Sequence, residues 1–396
     1  MRKVLIVDDD VAVTNYFMVF LVQTGLYEPV VANDPREVEG LLGSRTFEAV
    51  LLDMDMPHVS GMDILRAMRA KRDDTPVVVV TGVSDVDLAV RAMKLGAFDY
   101  LTKPVDEQHL LQVLEGAIEH RALHRTIDEL PKKLTRQGLA HPAAFHPLPT
   151  QYDGMIRLFH QAERLAASDV SIFIWGEGGT GKESIARAIH QASPRSAGPF
   201  IAVEADSQDA DRFPAFFFGQ ARDWGGVREE TPGLIEQAEG GTIFLDNIDT
   251  LTMPMQVKLK RLIQRGEYYR ENSTGVRKAD VRMIVASKHD LTRSHHKENF
   301  SRDLLYHLMI NSIRIPPLRE RSGDIPLLAG LFLEEEAERA GKRISGYSAE
   351  SMELLCRYDY PDNVQELITI VAGAVAKEDT ETITGESLPA YIREKV

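Results

Sequence analysis

Short, wholly apolar runs alternate with helix-length amphipathic stretches over the first hundred or so residues. Val4–Val7, Val50–Leu52, Val77–Val80 and Tyr100–Leu101 predict strands, and the segments between them carry apolar residues at helical spacing. Strands that are apolar on both sides of the pleat need cover on both faces. The order therefore predicts an α/β fold, a doubly wound parallel sheet. Ligands of such sheets bind at the carboxyl ends of the strands. Polar residues gather there: Asp8 and Asp9 after the first strand, Asp53 after the third, Thr81 after the fourth, and Lys103, followed by Pro104, after the fifth.

Three carboxylates on one edge repel unless a cation lies among them, and Asp8, Asp9 and Asp53 offer the oxygen ligands that Mg²⁺ takes. Lys103 can pair with an incoming phosphoryl group, and Asp53 can attack that group to form an acyl phosphate. Thr81 can then donate its hydroxyl to the new phosphoryl oxygens. The spacing Asp53-x-x-Met56-Pro57 with Gly61, and the pair Lys103-Pro104, complete the pattern. With these residues in order, the segment closely resembles the receiver domain of bacterial two-component response regulators. The resemblance implies a five-stranded parallel sheet, phosphorylation at Asp53 by a cognate sensor histidine kinase, an acidic Mg²⁺ pocket at Asp8 and Asp9, and switch residues Thr81 and Tyr100.

The full 396 residues leave room for two or three domains. A net charge of −14 argues against non-specific binding to nucleic acid or anionic membranes. One cysteine, Cys356, rules out an internal disulfide and fits a reducing cytoplasm. No apolar run approaches membrane-spanning length, so the expected location is cytoplasmic.

Residues 1–120 form the expected receiver, and 121–149 a linker helix and loop. A helix-like stretch, Ala117–Glu129, gives way to proline-rich sequence up to Leu148. His120 and His124 stand at a metal-ligand spacing but lack a third ligand, and exposed helix histidines are the better reading. Lys132, Lys133 and Arg136 form a small basic cluster, expected to be solvated. Leu110, Leu111, Val113, Leu114 and Ile118 carry an apolar helical face suited to self-association.

A second pattern follows. Val170–Trp175 predicts a strand, and a helix follows with Ile185, Ala186, Ala188 and Ile189 on its apolar face. Between them lies Gly176-Glu177-Gly178-Gly179-Thr180-Gly181-Lys182, then Glu183. Strand, glycine-rich loop and helix together predict a phosphate loop that binds ATP or ADP. A later apolar run, Thr242 to Leu245, ends in Asp246 and Asn247. Asp246 is placed to hold Mg²⁺, whereas the Asn247 amide has no useful basicity for activating water.

These motifs, with Ile189-His190, Ser193-Pro194-Arg195, Arg314 to Arg321 with Asp324-Ile325, and Tyr360-Pro-Asp-Asn-Val-Gln-Glu-Leu367, resemble the AAA+ domain of NtrC-type activators of sigma-54 RNA polymerase. The resemblance runs from Thr150 to the end. It implies an α/β nucleotide subdomain over 150–317 and a helical lid over 318–396. In that family Glu after the loop lysine is normal, and dimers form through the end of the receiver and the start of the linker.

The departures from the family matter most for function. Asn247 stands where the family has its catalytic Glu, and Glu204 where Asn is usual on the preceding strand. Lys288 replaces the sensing Asn, and Gln365 the lid arginine. The arginine-finger segment reads Phe300-Ser-Arg-Asp-Leu-Leu-Tyr-His307, with Ser301 and His307 at the two arginine positions and Arg302 one step out of register. The sigma-contacting loop lacks its Phe-Thr pair between Gly219 and Val227. Family members usually continue into a helix-turn-helix domain, whereas this sequence stops at Val396, so no direct DNA binding is expected.

The resulting expectation is a phosphorylation-controlled response regulator. Its AAA+ module would bind nucleotide, hydrolyse it poorly, and act through protein contacts. It would be a homodimer rather than a stable hexameric ring, with an active AAA+ paralogue or another protein as target. The alternative is a sigma-54-dependent activator working without its own DNA-binding domain.

Overall fold

The structure, a computed structural model, describes residues 1–71, 73–82, 91–93, 95–128, 134–224, 227–291 and 300–394, without the side chains of 119–120, 122–128, 222–224, 227–229, 302 and 306. Its contacts divide into two compact units: Met1–Glu129 with Arg302–Ile310, and Leu130–Ser301 with Asn311–Val396.

In the first unit, β1 (Arg2–Val7), β2 (Tyr27–Ala32), β3 (Ala49–Asp53), β4 (Val77–Thr81) and β5 (Asp99–Thr102) form a parallel sheet in the order β2-β1-β3-β4-β5. The pleat sends alternate residues to opposite faces. Leu5, Val7, Val50, Leu52, Val77 and Val79 enter one core, and Val4, Ile6, Ala49, Leu51, Val78 and Val80 enter the other. Both faces are thus covered, which explains the unbroken apolar runs. The strand missed by the pattern is β2, whose Glu28 and Pro29 interrupt it. At a sheet edge such interruption is tolerated.

The helix Glu107–Asp128 is one element, and its Leu110, Val113, Leu114 and Ile118 are buried in the second core of this unit, with Leu111 packed against it. These residues therefore cover the sheet and do not form the exposed face expected for self-association. The side chains of His120 and His124, and Lys132 and Lys133 altogether, lie outside the described residues. The expectation of a loose linker fails at its second half. Single turns at Arg136–Gly138 and Pro142–Phe145 bury Leu139, Ala144 and Phe145, with the Phe145 ring 5.1 Å from Phe159.

The second unit centres on a parallel sheet in the order Ser312–Arg314, Ile172–Trp175, Arg282–Ser287, Thr242–Asp246, Phe200–Glu204. Several motif residues prove structural here. Arg195 bonds Asp169 at 2.7 Å and Asp280 at 2.6 Å, and the His190 ring meets the buried Thr242 hydroxyl at 2.9 Å. Asp324, fully buried, accepts from the Thr150 hydroxyl at 2.6 Å and from Gln151 N–H at 2.7 Å. The helices Ile325–Ala340, Ala349–Arg357 and Asn363–Lys377 close around Leu328, Leu333, Leu355, Tyr360, Leu367 and Val371.

Candidate functional site

The carboxyl ends of β1, β3, β4 and β5 bring the first set of predicted residues together. Asp8 and Asp53 are buried and Asp9 exposed, and their ligand oxygens lie within 4.8 Å of one another. Lys103 Nζ donates to Asp8 at 2.8 Å and to Asp53 at 2.7 Å. Burial pushes the Asp53 carboxyl up from its ordinary range, with Lys103 opposing and Asp8 adding to the rise. Burial works against the Lys103 charge, but the bonds to Asp53 and Asp8 outweigh it and raise its pKa. One lysine cannot balance three carboxylates. The all-oxygen donor set with one solvent-facing member suits Mg²⁺.

Close packing requires glycine at position 61, since a Cβ there would fall 2.1 Å from the Asp53 carbonyl oxygen. Thr81 is buried at the end of β4, and its carbonyl accepts from Lys103 N–H at 2.8 Å. Tyr100 is half-buried. Its hydroxyl donates to Asp303 at 3.4 Å, and burial with the Asp303 charge pushes its pKa up to about 12. In the same unit His307 Nε2 lies 3.7 Å from the buried Asp99 carboxylate. The helix Arg302–Ile310, which holds the finger-position His307, is thus engaged at the residue expected to act as a switch.

Lys103 separates two buried carboxylates, so its removal has a measurable cost. Lys103→Ala is expected to destabilise the first unit by about 2 kcal/mol, reduced from the fully buried case because the lysine is partly solvated. Mg²⁺ should restore more stability to the variant than to the parent chain. Thermal melts with and without Mg²⁺ check this, and an equal loss under both conditions would count against a shared cation site.

In the second unit, the loop Gly176 to Lys182 joins the strand Ile172–Trp175 to the helix Lys182–Gln191. Gly179 has φ 69°, and a Cβ there would meet the Asp362 carbonyl at 2.1 Å. Glycine therefore lets the lid backbone reach the loop, where Val364 N–H bonds the Gly179 carbonyl at 3.0 Å. Asn363 is fully buried, and its amide donates to the Gly178 carbonyl at 2.8 Å. Arg319 grips Glu177 at 2.7 Å, and Arg321 donates to the Thr180 carbonyl at 3.2 Å.

The cavity beside the loop has a volume of 860 Å³. That falls within the roughly 300–1,000 Å³ usual for ligand sites. Gly179, Thr180, Gly181, Lys182, Glu183, Glu204 and Asp246 line one side, and Leu328, Phe332, Glu335, Val364 and Gln365 the lid side. Lys182 and Arg321 are both buried cations on its wall, and Arg321 Nε has no hydrogen-bond partner among the described residues. Two such cations beside a glycine-rich loop fit a polyanion such as a nucleotide phosphate chain. Lys182 Nζ lies 4.0 Å from Asp246, whose carboxyl is raised by burial and restrained by that lysine.

Asn247 takes a left-handed conformation, φ 55°, and its amide donates to Asp206 at 3.1 Å. It is not among the described residues that line the cavity. Asp249 is held by Ser287 and His289, each at 2.9 Å; burial raises its carboxyl, but those bonds outweigh it and lower the pKa. Glu183 pairs with Arg187 on its own helix, at 2.6 Å, while Lys288 is exposed. Ser301 N–H donates to Gln256 at 2.6 Å. The side chain of Arg302, and residues 225–226 of the altered loop, lie outside what is described. The strands that flank that loop, Gln220–Trp224 and Val227–Thr231, pair antiparallel as a hairpin.

Among the residues that sequence reasoning did not place on this cavity are four titratable ones: Arg136, His146, Arg321 and Glu335. Arg136 in particular is not the solvated linker residue expected. Its guanidinium donates to the Phe145 carbonyl at 2.9 Å and also to that of Leu148, and lies 5.4 Å from the Phe159 ring centre. The apolar Phe145 among prolines was the available signal that this segment packs.

Known proteins share both units. Residues 4–115 match the response regulator receiver domain, 148–314 the sigma-54 interaction domain, and 319–396 the AAA+ ATPase lid domain. The transcriptional regulatory protein ZraR of Escherichia coli K12 is 35% identical over 98% of this chain and 86% of its own length. The C4-dicarboxylate transport transcriptional regulatory protein DctD of Pseudomonas aeruginosa is 37% identical over 92% of this chain and 78% of its own. Crystal structures of NtrX from Brucella abortus, in complex with ADP and with ATP, match at 28% identity with TM-score 0.58. They cover all of this chain, 100%, and 86% and 85% of NtrX.

Proposed function

Because the chain belongs to the NtrC-type response regulators, which join a receiver to a sigma-54 interaction AAA+ domain, we propose that phosphorylation of Asp53 controls a nucleotide-holding output module with little ATPase turnover. A sensor kinase supplies the phosphoryl group, with Mg²⁺ on Asp8, Asp9 and Asp53, Lys103 neutralising it, and Thr81 and Tyr100 as switch residues. ATP or ADP lies against Gly176 to Lys182. One observation carries the reading of poor turnover. The phosphate loop and Lys182 are intact, yet position 247 is an amide turned to Asp206, and positions 301 and 307 hold no arginine. An arginine finger alone is worth roughly 10³- to 10⁵-fold in rate. The output is then contact with another protein, an active AAA+ paralogue among the candidates, made by a cytoplasmic chain that forms a homodimer through the end of the receiver and the start of the linker, as the family resemblance implies.

Lys182→Ala should abolish binding of a fluorescent ATP analogue by removing the buried cation at the loop. Unchanged affinity in the variant would show that the cavity is not a phosphate site. Dimerisation is checked by light scattering with and without a phosphoryl mimic; equal mass in both states would remove the proposed control of assembly. The second reading, a sigma-54-dependent activator, is favoured by the family match over 148–314. It requires multiple-turnover hydrolysis, so phosphate release separates the two.

A further inference from the structure

The carboxylate lost at position 247 has a counterpart one strand away. Phe200–Glu204 runs parallel to Thr242–Asp246, and the pairing register sets Glu204 directly beside Asp246. The ladder continues to that point, with Ala205 N–H bonding the Asp246 carbonyl at 2.9 Å. Residues in register on neighbouring strands leave the sheet on the same face. Glu204 and Asp246 accordingly line the same cavity, together with Lys182.

Glu335 lies on the lid side of the cavity, and the other acids near Asp246 are engaged or elsewhere. Asp206 accepts from Asn247 and borders a different depression, and Asp249 is held by Ser287 and His289. Glu183 is paired with Arg187. The Glu204 side chain is exposed and has no hydrogen bond or ion pair among the described residues. Compared with the family pattern, amide and carboxylate have changed places between the two strand ends: Glu at 204, Asn at 247.

We infer that Glu204 is the water-orienting carboxylate of this cavity, facing the terminal phosphate of bound ATP. The inference rests on the reading of the cavity as an ATP site. A water oxygen forms the new bond to the terminal phosphorus as the bond from that phosphorus to the bridging oxygen breaks. The water proton passes to Glu204 and on to solvent, so ATP and water leave as ADP and phosphate. The base is present, and the missing cations keep the step slow. Intrinsic turnover of about 10⁻⁴ s⁻¹ is the order expected of a phosphate-loop protein without a finger.

The test compares the full-length chain with Glu204→Gln and Glu204→Asp in two measurements. In the first, fluorescent ATP and ADP analogues are titrated without divalent cation. A carboxylate near the terminal phosphate repels ATP more than ADP, so Glu204→Gln should tighten ATP binding roughly three- to tenfold and leave ADP little changed. In the second, labelled phosphate release is followed in a single turnover with excess protein and Mg²⁺. Glu204→Gln should slow it about tenfold or more, with Glu204→Asp retaining part of the rate. Equal effects on ATP and ADP, an unchanged single-turnover rate, or no detectable release from the parent chain would each overturn the assignment. If the parent chain bound neither nucleotide, the failure would instead lie with the reading of the cavity itself.

Discussion

Asp53→Asn should abolish the covalent adduct expected to form on the parent chain with an acyl phosphate and Mg²⁺, a loss of all specific labelling. The expectation follows from the arrangement at the strand ends. Asp53 is buried beside Asp8, its Oδ1 bonded to Lys103 at 2.7 Å and its Oδ2 to Asp55 N–H at 2.9 Å. An amide keeps the shape but cannot attack phosphorus at neutral pH. Intact-mass measurement reads the result directly. An adduct that survives the substitution would place the acceptor elsewhere and remove the basis for reading Thr81 and Tyr100 as its switch.

The second large effect is a gain. Ser301→Arg combined with His307→Arg should raise ATP turnover roughly 10²-fold or more, because electrostatic stabilisation of the transferring phosphoryl group lowers the barrier to such reactions more than water activation does. The rate should climb with protein concentration, since the added arginines act on a neighbouring subunit. It should climb further with a phosphoryl mimic on Asp53, because Tyr100 bonds Asp303 in the helix that carries position 307. Asn247→Glu alone should give little. It adds a charge near Asp246, Asp206 and Asp249 without supplying any cation. Steady-state phosphate release across a dilution series checks both variants. Substantial, concentration-independent turnover from the single variant would show that the missing group was the carboxylate and not the cations.

Much of this was legible in the sequence, for local reasons. Asp8, Asp53, Thr81 and Lys103 each end an apolar run, so strand order alone delivers them to one edge. The phosphate loop likewise announces itself between a strand and a helix. What stayed hidden depends on partners distant in sequence. Tyr100 meets Asp303 across 203 positions, and Asn363 reaches the Gly178 carbonyl across 185. Arg136 looked like part of a charged linker because nothing local shows its bonds to carbonyls of Phe145 and Leu148 or its ring contact with Phe159. Glu204 was visible only as a departure from pattern. The register beside Asp246 turns that departure into a chemical suggestion. The edge strand β2 escaped because Glu28 and Pro29 break the apolar run that marked the other strands.

The output proposed for the second unit depends on a nucleotide site that holds but barely cleaves. Calorimetric titration of the chain with ATP and Mg²⁺ examines both properties at once when phosphate release is followed in the same sample, before and after treatment with acetyl phosphate. Saturable binding near one nucleotide per chain is expected, with release no faster than about 10⁻⁴ s⁻¹ in either state. Release on the order of 1 s⁻¹ would refute the holding role, as would a titration with no binding at all.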